Sequence, residues 1–200
     1  MYDIMKKALL MVLFFVVVLT VQLSPAAAWA VPTHYEIVVT TYHALPADVQ
    51  SKLSLDVMMD GADDPDLKFF DYKYQRYPAN QPKVDYWLDR GKIDYQNGDY
   101  QDASYSFGVA THYIADGCCA PHCVDNSSHY YHSIYELNAL LLTPQIDNSI
   151  GDIHLIMQND CSDGKNSWQC WMNNKNDGYI QNDLNRAVSA CYTAINESVS

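Results

Sequence analysis

Residues 100–116 read YQDASYSFGVATHYIAD, and this stretch decides the fold. Its apolar residues recur at helical spacing, which places Ala103, Phe107, Ala110 and Ile114 on one side of a helix. We therefore predict a helix over residues 100–115. His112 and Asp116 are four residues apart near its end, so both side chains project from one face and are placed to bind a single metal ion.

Three further residues extend this pattern along the chain. His122 follows just past the end of the predicted helix, and His132 and Glu136 form a second pair four residues apart on the next predicted helix. A single histidine on a helix is usually a surface or core residue. Five suitable ligands within 25 residues are hard to explain by chance, so we predict a metal site.

Three other histidines lack this spacing. His43, His129 and His154 are interpreted as ordinary surface or core residues. His129 is an alternative ligand to His132, because it lies one helical turn away.

The rest of the chain is interpreted as helices joined by turns. The other predicted helices cover residues 34–43, 47–59, 84–96, 129–142 and 182–196, with Thr33 as the N-cap of the first. Residues 61–66 are predicted as a turn-rich loop full of carboxylates, and residues 147–176, rich in Asn, Asp, Ser and Gly, as a long polar connection. No window shows sustained two-residue alternation, so we predict an all-α, single-domain multi-helix bundle.

The first 28 residues have the features of a signal peptide. Lys6 and Lys7 precede an apolar run over residues 8–21, and Pro25 and three alanines follow. The run is short for a transmembrane helix, and an uncleaved anchor is the alternative. We predict a signal peptide over residues 1–28, one domain over residues 29–200 that begins at Trp29, and a secreted or extracytoplasmic location.

The composition limits which binding partners and which cellular compartment we expect. A formal net charge of −12 disfavours attraction to polyanions, so we expect no specific nucleic-acid partner and membrane contact only through the substrate. Three bound divalent ions would add roughly six positive charges to one cleft, enough to attract a phosphate. Six cysteines fit an oxidising compartment and disulfides, with Cys161 and Cys170 placed to close the polar connection. Thiolate metal ligands from Cys118, Cys119 and Cys123 are the alternative.

The spacing of these residues resembles that of the bacterial zinc-dependent phospholipases C. The resemblance rests on Thr111-His112-Tyr-Ile-Ala-Asp116, then Pro121-His122, then His132-Ser-Ile-Tyr-Glu136. Residues 95–108 resemble the family's approach to this motif, residues 61–66 its loop with a metal-binding Asp, and Thr33-His34 its first helix with a metal-binding His. The superfamily also contains the fungal single-strand-specific nucleases. In the superfamily the mature N-terminus is a Trp that binds zinc through its main chain, and Trp29 takes that place here.

The resemblance implies up to three Zn²⁺ ions. The implied ligands are the Trp29 main chain, His34 and Asp116 for one ion, Asp66, His112 and the shared Asp116 for the second, and His122, His132 and Glu136 for the third. Asp116 and Asp66 would be the catalytic residues. A bridging Asp116 holds two cations close together, which lowers the pKa of a water between them, and Asp66 orients that water or accepts its proton.

Two positions depart from the family pattern. The second ion of the family has another His ligand downstream of the loop Asp, yet no His lies between Asp66 and His112. Asp71, Asp63 or a water are the possible substitutes. Leu67 follows the loop Asp where well-known members carry a Tyr of the choline pocket, so a choline preference is not expected.

We therefore expect an exported zinc-dependent phosphodiesterase, phospholipase C-like, that hydrolyses a phosphate ester such as a phospholipid headgroup. A nuclease or nucleotidase on the same three-ion site is the alternative, favoured by the step from Trp29 to His34. Tyr72, Tyr74 and Tyr77 are candidates for stacking on bases, but tyrosine is abundant in this chain and packing is the preferred interpretation. A third hypothesis is a zinc-binding surface protein that has lost catalysis, because of the missing His. The sequence leaves the oligomeric state open.

Overall fold

A computed structural model of the chain describes residues 29–125, 127–147 and 151–200, so the predicted signal peptide lies outside the described residues. Within them the chain forms helices and no strand, which confirms the all-α prediction. The α-helices are α1 (Val31–Ala44), α2 (Ala47–Gln50), α3 (Leu55–Leu67), α4 (Gln81–Asn97), α5 (Tyr100–Cys118), α6 (His129–Ala139), α7 (Ile153–Asn174) and α8 (Gly178–Val199). Two 3₁₀ helices cover Tyr72–Tyr74 and Ala120–His122.

Helix α5 lies at the centre of the bundle. Every residue over 106–118 is buried, and α5 packs against α3, α4 and α8. Because α5 carries His112 and Asp116, this pair of predicted ligands lies inside the protein rather than on its surface. None of the helices among the described residues is both long enough and apolar enough to cross a membrane.

Several predicted element bounds are corrected by the structure. Helix α1 begins at Val31 with Ala30 at the N-cap, so Thr33 lies in the first turn and does not cap it. The predicted helix over residues 47–59 is two helices, α2 and α3, and Ser54 caps the second. The predicted loop over residues 61–66 is wrong, because these residues form the second half of α3.

The glycine that indicated a turn at residue 61 has a different role. A Cβ on Gly61 would collide with the carbonyl oxygen of Tyr105, and a Cβ on Gly108 would collide with that of Met58. Helices α3 and α5 therefore cross backbone against backbone. This close crossing brings Asp66, near the end of α3, up to the ligand-bearing part of α5.

The predicted polar connection over residues 147–176 is wrong for most of its length, because it contains α7. Asp152 caps this helix, with its carboxylate accepting hydrogen bonds from the backbone amides of His154 and Leu155 at 3.0 Å each. The buried face recurs at helical spacing and includes Met157, Cys161, Gly164, Trp168 and Trp171.

The cysteines do not pair as predicted. Cys161 and Cys170 lie on the one helix α7, about 14 Å apart along its axis, so they cannot close a connection. All six cysteines are free thiols. Cys118 donates to the carboxylate of Asp160 at 3.4 Å, and none of the described cysteines belongs to a group of metal-ligating side chains.

Candidate metal centre

Helices α1 and α5 bring together the first cluster, which consists of His34, His112 and Asp116. Nε2 of His34 lies 3.3 Å from one carboxylate oxygen of Asp116, and Nε2 of His112 lies 3.2 Å from the other. The two imidazole rings stack, with their centroids 4.1 Å apart. All three side chains are buried. The i, i+4 spacing on α5 therefore brings His112 and Asp116 side by side, and α1 supplies the third group.

Asp66 lies at the edge of the first cluster. Its Oδ1 is 3.7 Å from Nε2 of His112 and accepts a hydrogen bond from the side-chain amide of Gln75 at 2.5 Å. Nδ1 of His112 lies 2.7 Å from the carbonyl oxygen of Ala62, on the same helix as Asp66. That carbonyl accepts a hydrogen bond from Nδ1, so Nε2 is the nitrogen that faces the two carboxylates and that a metal ion would take.

The second cluster consists of His122, His132 and Glu136. Nε2 of His132 lies 2.6 Å from a carboxylate oxygen of Glu136, its i+4 partner on α6. His122 comes from the 3₁₀ helix that follows α5, and its Nδ1 donates to the main-chain carbonyl of Gln75. Its ring meets that of His132 edge to face, with centroids 4.9 Å apart. All three predicted residues of this group therefore come together.

Burial and charge set different protonation states in the two clusters. Burial opposes a charged His112, but Asp116 and Asp66 outweigh it and raise the pKa of His112 to about 9. Burial also favours a neutral Asp116, yet His112 and His34 hold the pKa of that carboxyl well below its usual range. In the second cluster burial dominates, lowering the pKa of His132 to about 3 and raising that of Glu136 to about 10. Without metal, the first cluster is thus charged and the second neutral.

The unpartnered atoms of both clusters are the kind that a metal ion satisfies. Buried nitrogen and oxygen atoms normally find hydrogen-bond partners, and leaving one unpaired is costly. The buried atoms without such a partner include Nε2 of His34, His112 and His132, both oxygens of Asp116, and single oxygens of Asp66 and Glu136. Imidazole nitrogens and carboxylate oxygens are also the donor set that Zn²⁺ takes in proteins. The residues present therefore fit zinc.

A comparison with protein families agrees with this geometry. The family model described as zinc dependent phospholipase C matches residues 33–185. The chain belongs to this family. Neither the curated proteins nor the solved structures contain a match.

For a zinc-dependent phospholipase C family member, the position of Trp29 is informative. Its side chain is fully buried, and its indole nitrogen donates to the carbonyl oxygen of Ala115 at 3.0 Å. Its ring also lies 6.0 Å from that of Tyr135, measured between centroids. Ala115 precedes Asp116 and Tyr135 precedes Glu136, so the side chain is anchored beside one ligand of each cluster. Its role as a main-chain ligand stays a prediction.

The two carboxylates considered in place of the family's missing His have different surroundings. Asp71 accepts from the hydroxyl of Tyr113 at 2.8 Å and from the ammonium of Lys83 at 2.5 Å. Asp63 accepts from the hydroxyl of Tyr35 on one oxygen, while its other oxygen is buried without a partner. Burial raises the pKa of Asp63, whereas His34 and His112 act to lower it. Asp63 thus keeps one buried oxygen free and is influenced by the two histidines of the first cluster, whereas Asp71 is engaged elsewhere.

Two residues that hydrogen-bond to the ligands or to the elements that carry them were not predicted. Gln75 contacts both groups, through its side chain at Asp66 and its main chain at His122. Asp183 on α8 contacts the elements that carry the second cluster. Neither lies at helical spacing from a predicted ligand, so no signal in the sequence marks them.

Proposed function

We propose that the chain is an exported zinc-dependent phosphodiesterase of phospholipase C type that hydrolyses the headgroup ester of a phospholipid. The observation that supports this best is the pair of buried clusters that together contain six side-chain ligands, five of which have unpartnered atoms. Membership of the family supplies the chemistry that such a centre performs. A metal-dependent hydrolase needs buried ligands that converge on one point, and both clusters contain such groups.

The predicted ligands are divided among three zinc ions. We assign one ion to the Trp29 main chain, His34 and Asp116, a second to Asp66, His112 and Asp116, and a third to His122, His132 and Glu136. Zinc, when bound, supplies a strong electrophile that acidifies water and neutralises phosphoryl oxygens.

The side chains of the protein have their own roles in the reaction. Each oxygen of Asp116 lies beside a different histidine, which suits a carboxylate shared between two sites. Burial raises the pKa of Asp66, and one of its oxygens is unpartnered, so it is placed to orient the attacking water and to accept its proton. Gln75 fixes the other oxygen of Asp66.

In place of the family's missing His, we propose Asp63 as the substitute ligand. It lies one turn before Asp66 on α3, so both carboxylates project from the same face. Its unpartnered oxygen and the influence of His34 and His112 support this choice over Asp71.

The surface beside Asp66 favours a lipid as substrate. Leu67 is 57% exposed and directly follows Asp66, and Phe70, which lies three residues after Leu67, is 63% exposed. Phe70 has a φ of 53°, which a non-glycine residue adopts rarely, and strain of this kind concentrates at functional sites. Tyr72, also exposed, donates to the main-chain carbonyl of Asp66 at 3.3 Å. An exposed apolar rim beside the ligands suits acyl chains, and the negative charge of the protein disfavours a nucleic acid.

The test is a panel of substrates given to protein that begins at Trp29 and is loaded with zinc. We expect diacylglycerol release from phospholipid vesicles, and we expect a chelator to abolish it. His112→Ala is the matched inactive control. Cleavage of single-stranded DNA or a nucleotide, with intact lipid, would instead favour the nuclease. Zinc binding without hydrolysis of any ester would leave a zinc-binding protein that has lost catalysis.

A further inference from the structure

Asp183 is a fully buried carboxylate on α8 that belongs to neither cluster. One of its oxygens accepts two hydrogen bonds, from the backbone amide of Ala120 at 3.1 Å and from the hydroxyl of Tyr135 at 2.6 Å. Its other oxygen accepts from the guanidinium of Arg186. Because every oxygen already has a donor, Asp183 is not available as a metal ligand itself.

The two donors on the shared oxygen come from the two elements that carry the second cluster. Ala120 is the first residue of the 3₁₀ helix that ends at His122. Tyr135 lies on α6 between His132 and Glu136, which form the i, i+4 pair. A single oxygen atom therefore joins two ligand-bearing elements that are separate along the chain.

The position of Arg186 explains how this carboxylate is kept inside the protein. A buried charge is costly unless it is paired and fully hydrogen-bonded. Arg186 lies one turn after Asp183 on α8, pairs with it and also donates to the hydroxyl of Ser167 on α7 at 3.3 Å. The Asp183–Arg186 pair is thus held between α7 and α8, and from there it reaches the second cluster through Ala120 and Tyr135.

We infer that Asp183 is a positioning residue for the second cluster, holding the turn with His122 and the helix with His132 and Glu136 at the separation that one metal ion needs. This inference rests on the proposed metal-binding function. Residues that orient metal ligands without touching the metal typically change metal affinity by a factor of about 10 to 100. The effect is expected at the second cluster only, because the carboxylate of Asp183 binds Ala120, Tyr135 and Arg186 rather than any residue of the first cluster.

The experiment measures zinc dissociation constants at both clusters by competition with a chromophoric chelator. His34→Ala and His132→Ala assign the two sites, since each removes a ligand from one of them. We expect Asp183→Asn to weaken the second site by about 10 to 100-fold and to leave the first unchanged. Tyr135→Phe, which keeps the ring and removes only the hydroxyl, should weaken the same site by a smaller factor and guards against misfolding of the first variant.

Asp160→Asn is the matched control. Asp160 is a buried carboxylate near Arg186 on α7, but its bond is to the thiol of Cys118. Its replacement should leave the second site unchanged. Equal weakening of both sites in Asp183→Asn and Tyr135→Phe, or no weakening in either, would overturn the positioning role alone. A wild-type chain with no zinc at the second cluster would overturn both this role and the proposed function.

Discussion

The imidazole ring of His34 stacks on that of His112, with planes inclined by 12°, although the two residues come from different helices. Their Nε2 atoms face different oxygens of the same carboxylate, Asp116. Two parallel rings that converge on one anion would repel each other if both were protonated. The carboxylate of Asp116 offsets this repulsion and favours a positive charge beside it, carried by a proton or by a metal ion.

Replacing His112 should remove zinc from the first cluster. His112→Ala deletes the nitrogen that lies 3.2 Å from Asp116 and 3.7 Å from Asp66, and we expect the loss of at least one zinc per chain in elemental analysis. His43→Ala is the control, because His43 is an exposed histidine at the end of α1. Full zinc content in His112→Ala would contradict the assignment of this cluster.

An extra residue before Trp29 should cost one zinc as well. If the α-amine of Trp29 is a ligand, an added alanine turns that amine into an amide, which is a poor zinc donor. The buried indole and its bond to Ala115 should persist, so tryptophan fluorescence should stay unchanged while zinc content falls. Equal zinc content in the two forms would exclude the main chain of Trp29 as a ligand.

Substitution of Asp63 should affect zinc binding, whereas substitution of Asp71 should affect the stability of the fold. Asp63→Asn is expected to weaken zinc binding at the first cluster, because it removes the negative charge of a carboxylate that interacts electrostatically with the two histidines. Asp71→Asn weakens the acceptor for Tyr113 and Lys83, and we expect it to cost about 1–3 kcal/mol of unfolding free energy with little effect on zinc. Urea unfolding and chelator competition on both variants provide the check. The reverse pattern would assign the ligand to Asp71.

Zinc affinity should rise with pH. The pKa values of about 9 for His112 and about 10 for Glu136 mean that both groups hold a proton at neutral pH without metal. Zinc must displace these protons, so affinity should increase by roughly tenfold per pH unit for each proton displaced, up to about pH 9. Calorimetry in buffers of different ionisation enthalpy counts the protons released. Binding without proton release would show that these groups are already unprotonated.

The apolar residues beside Asp66 should matter for lipid and not for a soluble ester. We expect the double variant Leu67→Ser, Phe70→Ser to lose activity on phospholipid vesicles by about tenfold or more, since it removes exposed apolar surface. Hydrolysis of a small soluble phosphodiester should be retained. Ile93→Ser, which changes an equally exposed apolar residue on α4, is the control. A parallel loss on both substrates would place these residues in catalysis instead.

The clusters were predictable from sequence because most of their geometry is local. His112 with Asp116, and His132 with Glu136, each lie one helical turn apart, so the spacing alone places them on one face. Gln75 and Asp183 act across the bundle, where no local pattern reports them.

The two misjudged segments have physical explanations. Gly61 was interpreted as a turn, but glycine also occurs where two backbones touch, and sequence alone does not distinguish these uses. In α7 the frequent Asn, Asp and Ser residues indicated a connection. The buried residues from Met157 to Trp171 repeat every three or four positions, and greater weight on that periodicity would have predicted the helix.

The crossing of α3 and α5 at Gly61 and Gly108 has a consequence for how the substrate range of this protein can change. The two main chains are in direct contact at this crossing. No side chain lies between them that could be made smaller or larger to change the distance between Asp66 and His112. Laboratory evolution towards a new ester should therefore leave this junction untouched and collect its substitutions along the rim that begins at Leu67.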